Sequence, residues 1–224
     1  MSADIRIKLT HKSYLRDPEE TELGRKIITE SIVLIENLGF ENFTFKKLAA
    51  KIESTEASVY RYFENKHKLL VYLVSWYWAL LYYQITFHTQ NITDPVEKLH
   101  VVLRILSQLH LDKPNSTRIN EALLHQIVIA EAPKSYLIKE VDELNRQGMF
   151  LEYKMVCRHV ARLLITIKPN YPYPHALVST IIEAAHHQVF FGQHLPSLSE
   201  PKMHDKENGV FEFLKHLASA ALKA

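Results

Sequence analysis

The chain has 224 residues, 47% of them hydrophobic, and 27 basic groups against 25 acidic ones give a formal net charge of +2. That apolar content excludes a disordered chain, and a single cysteine excludes an intrachain disulfide framework or a multi-cysteine zinc site. Only five glycines are present; sheet turns and phosphate loops both consume glycine, so an all-α chain is expected.

The opening MSADIRIKLTHKSYLRD has no apolar run of signal-peptide length. No apolar stretch reads as the ~20 residues of a membrane span. A reducing, cytoplasmic setting without a membrane partner is therefore expected. The charge is unevenly placed. Residues 1–16 carry Arg6, Lys8, Lys12 and Arg16 against Asp4, and residues 44–68 carry Lys46, Lys47, Lys51, Arg61, Lys66 and Lys68 against Glu53, Glu56 and Glu64. This positive field at the N-terminal end suits phosphate.

In chain order, a first helix starts near Asp17-Pro18 or at Thr21, with Gly24 weakening its continuity. Ile28, Ile32, Ile35 and Leu38 form its inner face, and Gly39 supplies a left-handed stop. Thr44 caps a short helix over Phe45 to Lys51, with Phe45, Leu48, Ala49 and Ile52 facing inward. After Glu53-Ser54, Thr55 caps a third helix over about Ala57 to Phe63. Two short helices across a tight turn, packed under a first helix, fit a helix-turn-helix plan. Asn65 then caps a helix of about 25 residues, on which Leu69, Leu73, Trp76, Leu80, Tyr83 and Phe87 keep helical spacing. Further helices are predicted over Asp94 to Leu111, Arg118 to Glu131, and Tyr136 to Ile167 with a kink at Gly148. KPNYPYP breaks the chain, His175 to Phe191 is helical, HLPSLSEPKMHDKEN is a loop, and Val210 to Leu222 is the last helix.

Two stretches carry a resemblance. IENLGFENFTFKKLAAKI has a Gly-aromatic turn and a Thr-initiated helix; STEASVYRYFENKHKLL has a Tyr-x-x-Phe close and a Lys-x-x-Leu helix start. Residues 21–70 thereby resemble the DNA-binding module of the TetR-family transcriptional regulators. Glu53 stands where that family has glycine in the turn, Ser54 where it has a small apolar residue, and Ala57 at a position often glycine.

The resemblance implies a basic N-terminal arm over 1–20, a helix-turn-helix domain over 21–68, and an effector-binding and dimerisation domain over 69–224. The arm reads equally as a disordered tail or as a minor-groove contact. A recognition helix reads bases from its N-terminal side chains, which makes Thr55, Glu56, Ala57 and Ser58 candidates, with Tyr60 and Arg61 one turn on. Small Ala57 suits a thymine methyl. Lys66, at a helix start, matches the family's phosphate position, and Thr44 and Lys46 are candidates for the backbone from the second helix. Tyr62 stays open between packing and phosphate contact.

An apolar or amphipathic effector is expected among Trp76, Tyr83, Gln84, Phe87, Gln126, Met149, Phe150, Tyr153 and His159, where aromatic and methionine groups meet sparse polar ones. The resemblance implies a homodimer through the last two helices. Candidates there are Leu177, Val178, Ile181, Ile182, Ala185, Val189, Val210, Phe213, Leu214, Leu217 and Ala221. The competing reading is that these faces cap the core of one subunit. No metal site or cofactor is expected: adjacent His186 and His187 diverge by about 100° on a helix, and no nucleophile pair or paired carboxylate emerges, so no enzyme is expected. The implied function is a homodimeric repressor released from a palindromic operator by a small ligand. The alternative is a helical ligand- or partner-binding protein that keeps the module without operator specificity.

Overall fold

The computed structural model describes residues 7, 9, 13–107, 119–200 and 209–223. Among these residues the regular structure is all helical, with no strand. A 3-10 turn at Pro18–Glu20 precedes α1 (Glu22–Asn42), α2 (Phe45–Lys51), α3 (Glu56–Tyr60) and α4 (Lys66–Thr89). Then come α5 (Pro95–Ser107), α6 (Glu121–Glu131), α7 (Pro133–Tyr136), α8 (Val141–Arg146), α9 (Leu151–Ile167), α10 (Pro174–His194) and α11 (Gly209–Lys223).

Side-chain caps set most of the starts near the N-terminus. Asp17 Oδ1 accepts from Glu19 N–H (2.9 Å), and Thr21 Oγ1 accepts from Gly24 N–H (2.9 Å), so both anticipated start signals are used. Thr44 and Thr55 each accept from the N–H three residues on, at 3.2 Å. Asn65 Oδ1 accepts from Lys68 N–H at 2.8 Å and opens α4. Each such cap satisfies a donor that a helix start leaves orphaned, worth about 1 kcal/mol.

The chain divides into two compact units: residues 1–79 with 113–152, and residues 80–112 with 153–224. In the first, α1 packs on α2 and α6, and α2 packs on α3. Ile27, Ile28, Ile32 and Ile35 of α1 are all buried; each such side chain contributes about 1.5–3 kcal/mol in transfer free energy. In the second, α10 packs on α11 and both pack on α5. α4 is the one helix among the described residues with the length and hydropathy to cross a membrane, yet 72% of that stretch is buried inside the protein. It is a core helix here.

The structure changes three expectations. α3 ends at Tyr60 rather than Phe63, because the chain tightens: Tyr62 N–H donates to Val59 O at 2.9 Å. The segment from Tyr136 to Ile167 is not one kinked helix. Gly148 has φ +80° and ends α8, with Gly148 N–H on Asn145 O (3.1 Å) and Met149 N–H on Leu144 O (3.0 Å). That pair of bonds is a Schellman close, so the glycine stops one helix before α9 begins. Gly24 does not interrupt α1. A Cβ there would lie 2.6 Å from Pro18 Cα and closer still to the Pro18 carbonyl, so the glycine instead admits the 3-10 turn against the helix.

Candidate nucleic-acid interface

The turn between α2 and α3 is a second Schellman close, built on a non-glycine residue. Glu53 N–H donates to Ala50 O (3.3 Å) and Ser54 N–H to Ala49 O (2.9 Å), with Glu53 at φ +54°. Glu53, which stands where the resembled family has glycine, therefore adopts a left-handed backbone. It costs a side-chain-bearing residue about 1–2 kcal/mol, part of which glycine gives back in chain entropy. Glu53→Gly should raise the unfolding free energy by about 1 kcal/mol, or about 2–4 °C in Tm for a chain of this size. A thermal melt that is unchanged or lower counts against the strain.

From that turn α3 presents Thr55, Glu56 and Ala57 to solvent, with Ser58 half-buried. Val59 and Phe63 are fully buried beneath them. Thr55 Oγ1 and Ser58 Oγ share a hydrogen bond (2.9 Å), and Arg61 Nη2 donates to Ser58 Oγ at 3.1 Å. The guanidinium is thus folded back along the helix with its charge exposed. Tyr60 is 48% exposed and meets Phe45 edge-on at 5.0 Å. Thr44 and Lys46 are exposed at the start of α2. Seven of the nine candidates therefore lie at the surface of α2, α3 and the turn that follows, with Ser58 and Lys66 half-buried.

Lys66 has a different role. Its Nζ donates to Phe40 O (3.0 Å), Glu41 O (3.0 Å) and Phe43 O (3.4 Å), and it lies 4.8 Å from the Phe40 ring centre. An ammonium has three N–H donors, and three carbonyls at the end of α1 take them. Lys66 holds that helix end with its charge. Tyr62 is settled as a packing residue: it is 2% exposed, and its hydroxyl shares a hydrogen bond of 2.7 Å with Thr21 Oγ1.

Sequence reasoning missed a polar cluster beside α1. Glu131 Oε1, on buried α6, accepts from Phe40 N–H at 3.1 Å, directly after the break at Gly39 (φ +73°). Lys134 Nζ pairs with Glu131 at 2.7 Å and with exposed Glu41 at 3.0 Å. Its hydrogen bond to Glu131 raises the lysine pKa, and Lys134 lowers that of Glu41. His67 Nε2 lies 3.1 Å from Lys134 O, and burial lowers its pKa. No short-range pattern marks Glu131, since its partner is 91 residues away.

The expected effector residues fall into two groups. Trp76, Gln126, Met149 and Phe150 belong to the first unit; Tyr83, Gln84, Phe87, Tyr153 and His159 belong to the second. Met149 packs with Val71, Leu144, Ile138 and Phe150 as core, and Trp76 is buried. Tyr83 and Phe87 stack at 5.9 Å and are exposed, while His159 meets Tyr82 edge-on at 5.6 Å, its pKa lowered by burial. A groove of about 350 Å³ on α10 is lined by Ser179, Thr180, Glu183, Ala184 and His187, none of them an expected effector residue.

The expected dimer residues need correction. Leu177, Val178, Ile181, Ile182, Ala185, Val210 and Leu214 are buried within the single chain, where α10, α11 and α5 cover one another. Only Val189, Phe213, Leu217 and Ala221 of that set remain half-exposed. Apolar periodicity marks a covered face but not which surface covers it. No group of three or more His, Cys, Asp or Glu is arranged for a metal among the described residues.

Residues 27–73 match the family model for bacterial regulatory proteins, tetR family. The nucleoid occlusion factor SlmA of Haemophilus influenzae (strain PittGG) is 27% identical over 112 residues, 50% of each chain. That of Pasteurella multocida (strain Pm70) is 30% identical over 81 residues, 36% of this chain and 41% of the relative. The chain thus spans about half the length of the curated relatives it matches. Among solved structures, AibR in complex with isovaleryl coenzyme A and operator DNA superposes with a TM-score of 0.59 at 16% identity, over 86% of this chain and 97% of that one. A TetR transcriptional regulator from Legionella pneumophila gives 0.58 at 17% identity, over 89% and 96%. These likenesses show the fold.

Proposed function

We propose, on the match of residues 27–73 to the family model for bacterial regulatory proteins, tetR family, that the chain is a sequence-specific transcriptional regulator. It binds a palindromic DNA operator as a homodimer and is released by a small apolar or amphipathic effector. One observation carries the reading: Thr55, Glu56, Ala57, Tyr60 and Arg61 are all exposed on and just after a short helix whose inward residues Val59 and Phe63 are fully buried. A helix with its anchor side buried and small N-terminal side chains outward can enter a major groove. Thr44 and Lys46 are proposed to grip the phosphate backbone. The functional division is a basic arm over 1–20, the DNA-binding domain over 21–68 and an effector and dimer region over 69–224.

Within the second unit, Tyr83, Gln84, Phe87, Tyr153 and His159 are the proposed effector-facing group. AibR, of like fold, was solved with isovaleryl coenzyme A, and an acyl chain on a polar carrier fits the amphipathic class. An effector acts only through unequal affinity for the two conformers. A second reading has one observation behind it: the curated relatives are named nucleoid occlusion factors, so the DNA sites need not be promoters.

The test is selection of bound DNA from a random library with the purified protein, followed by titration of the enriched site. Arg61→Ala and Tyr60→Ala should each weaken operator binding by about 1–3 kcal/mol if they touch base edges. Lys66→Met should lower the melting temperature while leaving the salt slope of binding unchanged, because its ammonium is spent on α1. No enriched sequence, or wild-type operator affinity in both α3 variants, sinks the assignment. Enriched sites scattered away from promoters favour the second reading.

A further inference from the structure

We propose that residues 13–21 form a strap that positions the recognition helix, with Tyr62 as the point it grips; this rests on the DNA-binding reading above. The observations come from residues along the whole strap. Leu15 N–H donates to Tyr62 O at 2.8 Å. The Arg16 guanidinium lies 5.6 Å from the Tyr62 ring centre, within cation–π range. Thr21 Oγ1 shares the 2.7 Å hydrogen bond with the Tyr62 hydroxyl. Tyr14 meets Tyr72 of α4 edge-on at 5.9 Å, and Tyr72 in turn meets Phe63 at 5.5 Å. Ser13 and Pro18 are buried.

The strap is itself fastened to α1. Arg25 Nη1 donates to Glu19 O at 2.8 Å, and Gly24 leaves the space that Pro18 fills. Three handles of Tyr62 are thereby engaged from the N-terminal side: its carbonyl, its ring face and its hydroxyl. α3 has only five residues, too few to be a stable helix by itself. Its start is fixed by Thr55 and the Glu53 turn. Its end is fixed through Tyr62, two residues beyond the helix, and the strap is what holds Tyr62 from outside. Tyr62 and Thr21 are positioning residues: they touch no base, and they set the angle at which Tyr60 and Arg61 are presented.

The test uses the full chain and three variants. Tyr62→Phe removes only the hydroxyl. Gly24→Ala pushes Pro18 off α1 while improving local helix propensity. Thr21→Ser keeps both the α1 cap and an acceptor for Tyr62, and serves as the conservative control. Tyr62→Phe and Gly24→Ala should weaken binding to the selected operator by about two- to tenfold, the size of one lost hydrogen bond. Affinity for random DNA and its salt slope should stay at wild-type values, and amide exchange should quicken at Val59, Tyr62 and Phe63. Thr21→Ser should match wild type in all readouts. Unchanged exchange at those amides in both variants overturns the strap, whatever the DNA result. An equal loss on random DNA with a flatter salt slope also overturns it, because the segment would then be a phosphate contact. If wild type discriminates no sequence, the DNA reading fails, and the exchange data alone decide the strap.

Discussion

Leu214→Glu should unfold the second unit instead of splitting a dimer. Leu214 and Ile182 are both 0% exposed in the single chain, on helices that pack against each other and against α5. A carboxylate placed at either position has no solvent and loses the apolar contacts of the residue it replaces. The combined cost is more than about 4 kcal/mol, comparable with the whole stability of many domains. By contrast, Phe213, Leu217 and Ala221 recur every four residues along the half-exposed side of α11, and a partner subunit can reach them. Phe213→Glu with Leu217→Glu should keep helical circular dichroism and a melting temperature within a few degrees of wild type. Sedimentation should shift from dimer to monomer. A folded, monomeric Leu214→Glu protein would reverse the argument, and a wild-type monomer would remove the dimer.

Acid should destabilise the protein through His186. Its imidazole is buried in α10, and burial, helped by neighbouring His187, pushes its pKa from the ordinary 6.5 down to about 4. The folded value is depressed for a base, so the native state favours the neutral ring. Between pH 6.5 and 4 the unfolded chain binds a proton that the native chain refuses, and stability falls as pH falls. The contribution is complete above pH 6.5 and exhausted below about 4. At about 1.4 kcal/mol per unit, this amounts to about 2–3 kcal/mol lost between pH 7.5 and 4.5. His67 and His159, whose pKa values are also lowered by burial, act in the same direction. Urea titrations at both pH values, on wild type and His186→Gln, isolate the one residue. The variant should lose about 2–3 kcal/mol less over that interval; equal losses would place the acid sensitivity elsewhere.

What the sequence determined by itself is local. Thr21, Thr44, Thr55 and Asn65 were readable as caps because the bond each makes runs to an N–H three residues away. Glu53 stands where the resembled family carries glycine, and it takes the left-handed backbone that a glycine there would take. The outward placing of Thr55, Glu56, Ala57, Tyr60 and Arg61 was implied by the resemblance of residues 21–70 to a known module. What the tertiary structure decided involves partners far along the chain. Tyr62 meets Thr21 across 41 residues, and Phe40 meets Glu131 across 91. Lys66 looked like a phosphate ligand until the end of α1, 23–26 residues earlier, supplied three carbonyls for its ammonium. The faces of α10 and α11 show the limit most clearly. Their periodicity fixes which side is apolar, because side chains three and four apart share a face. Whether α5 or a second subunit covers that side depends on where the rest of the chain goes, and at Ile182 and Leu214 the chain's own second unit covers it.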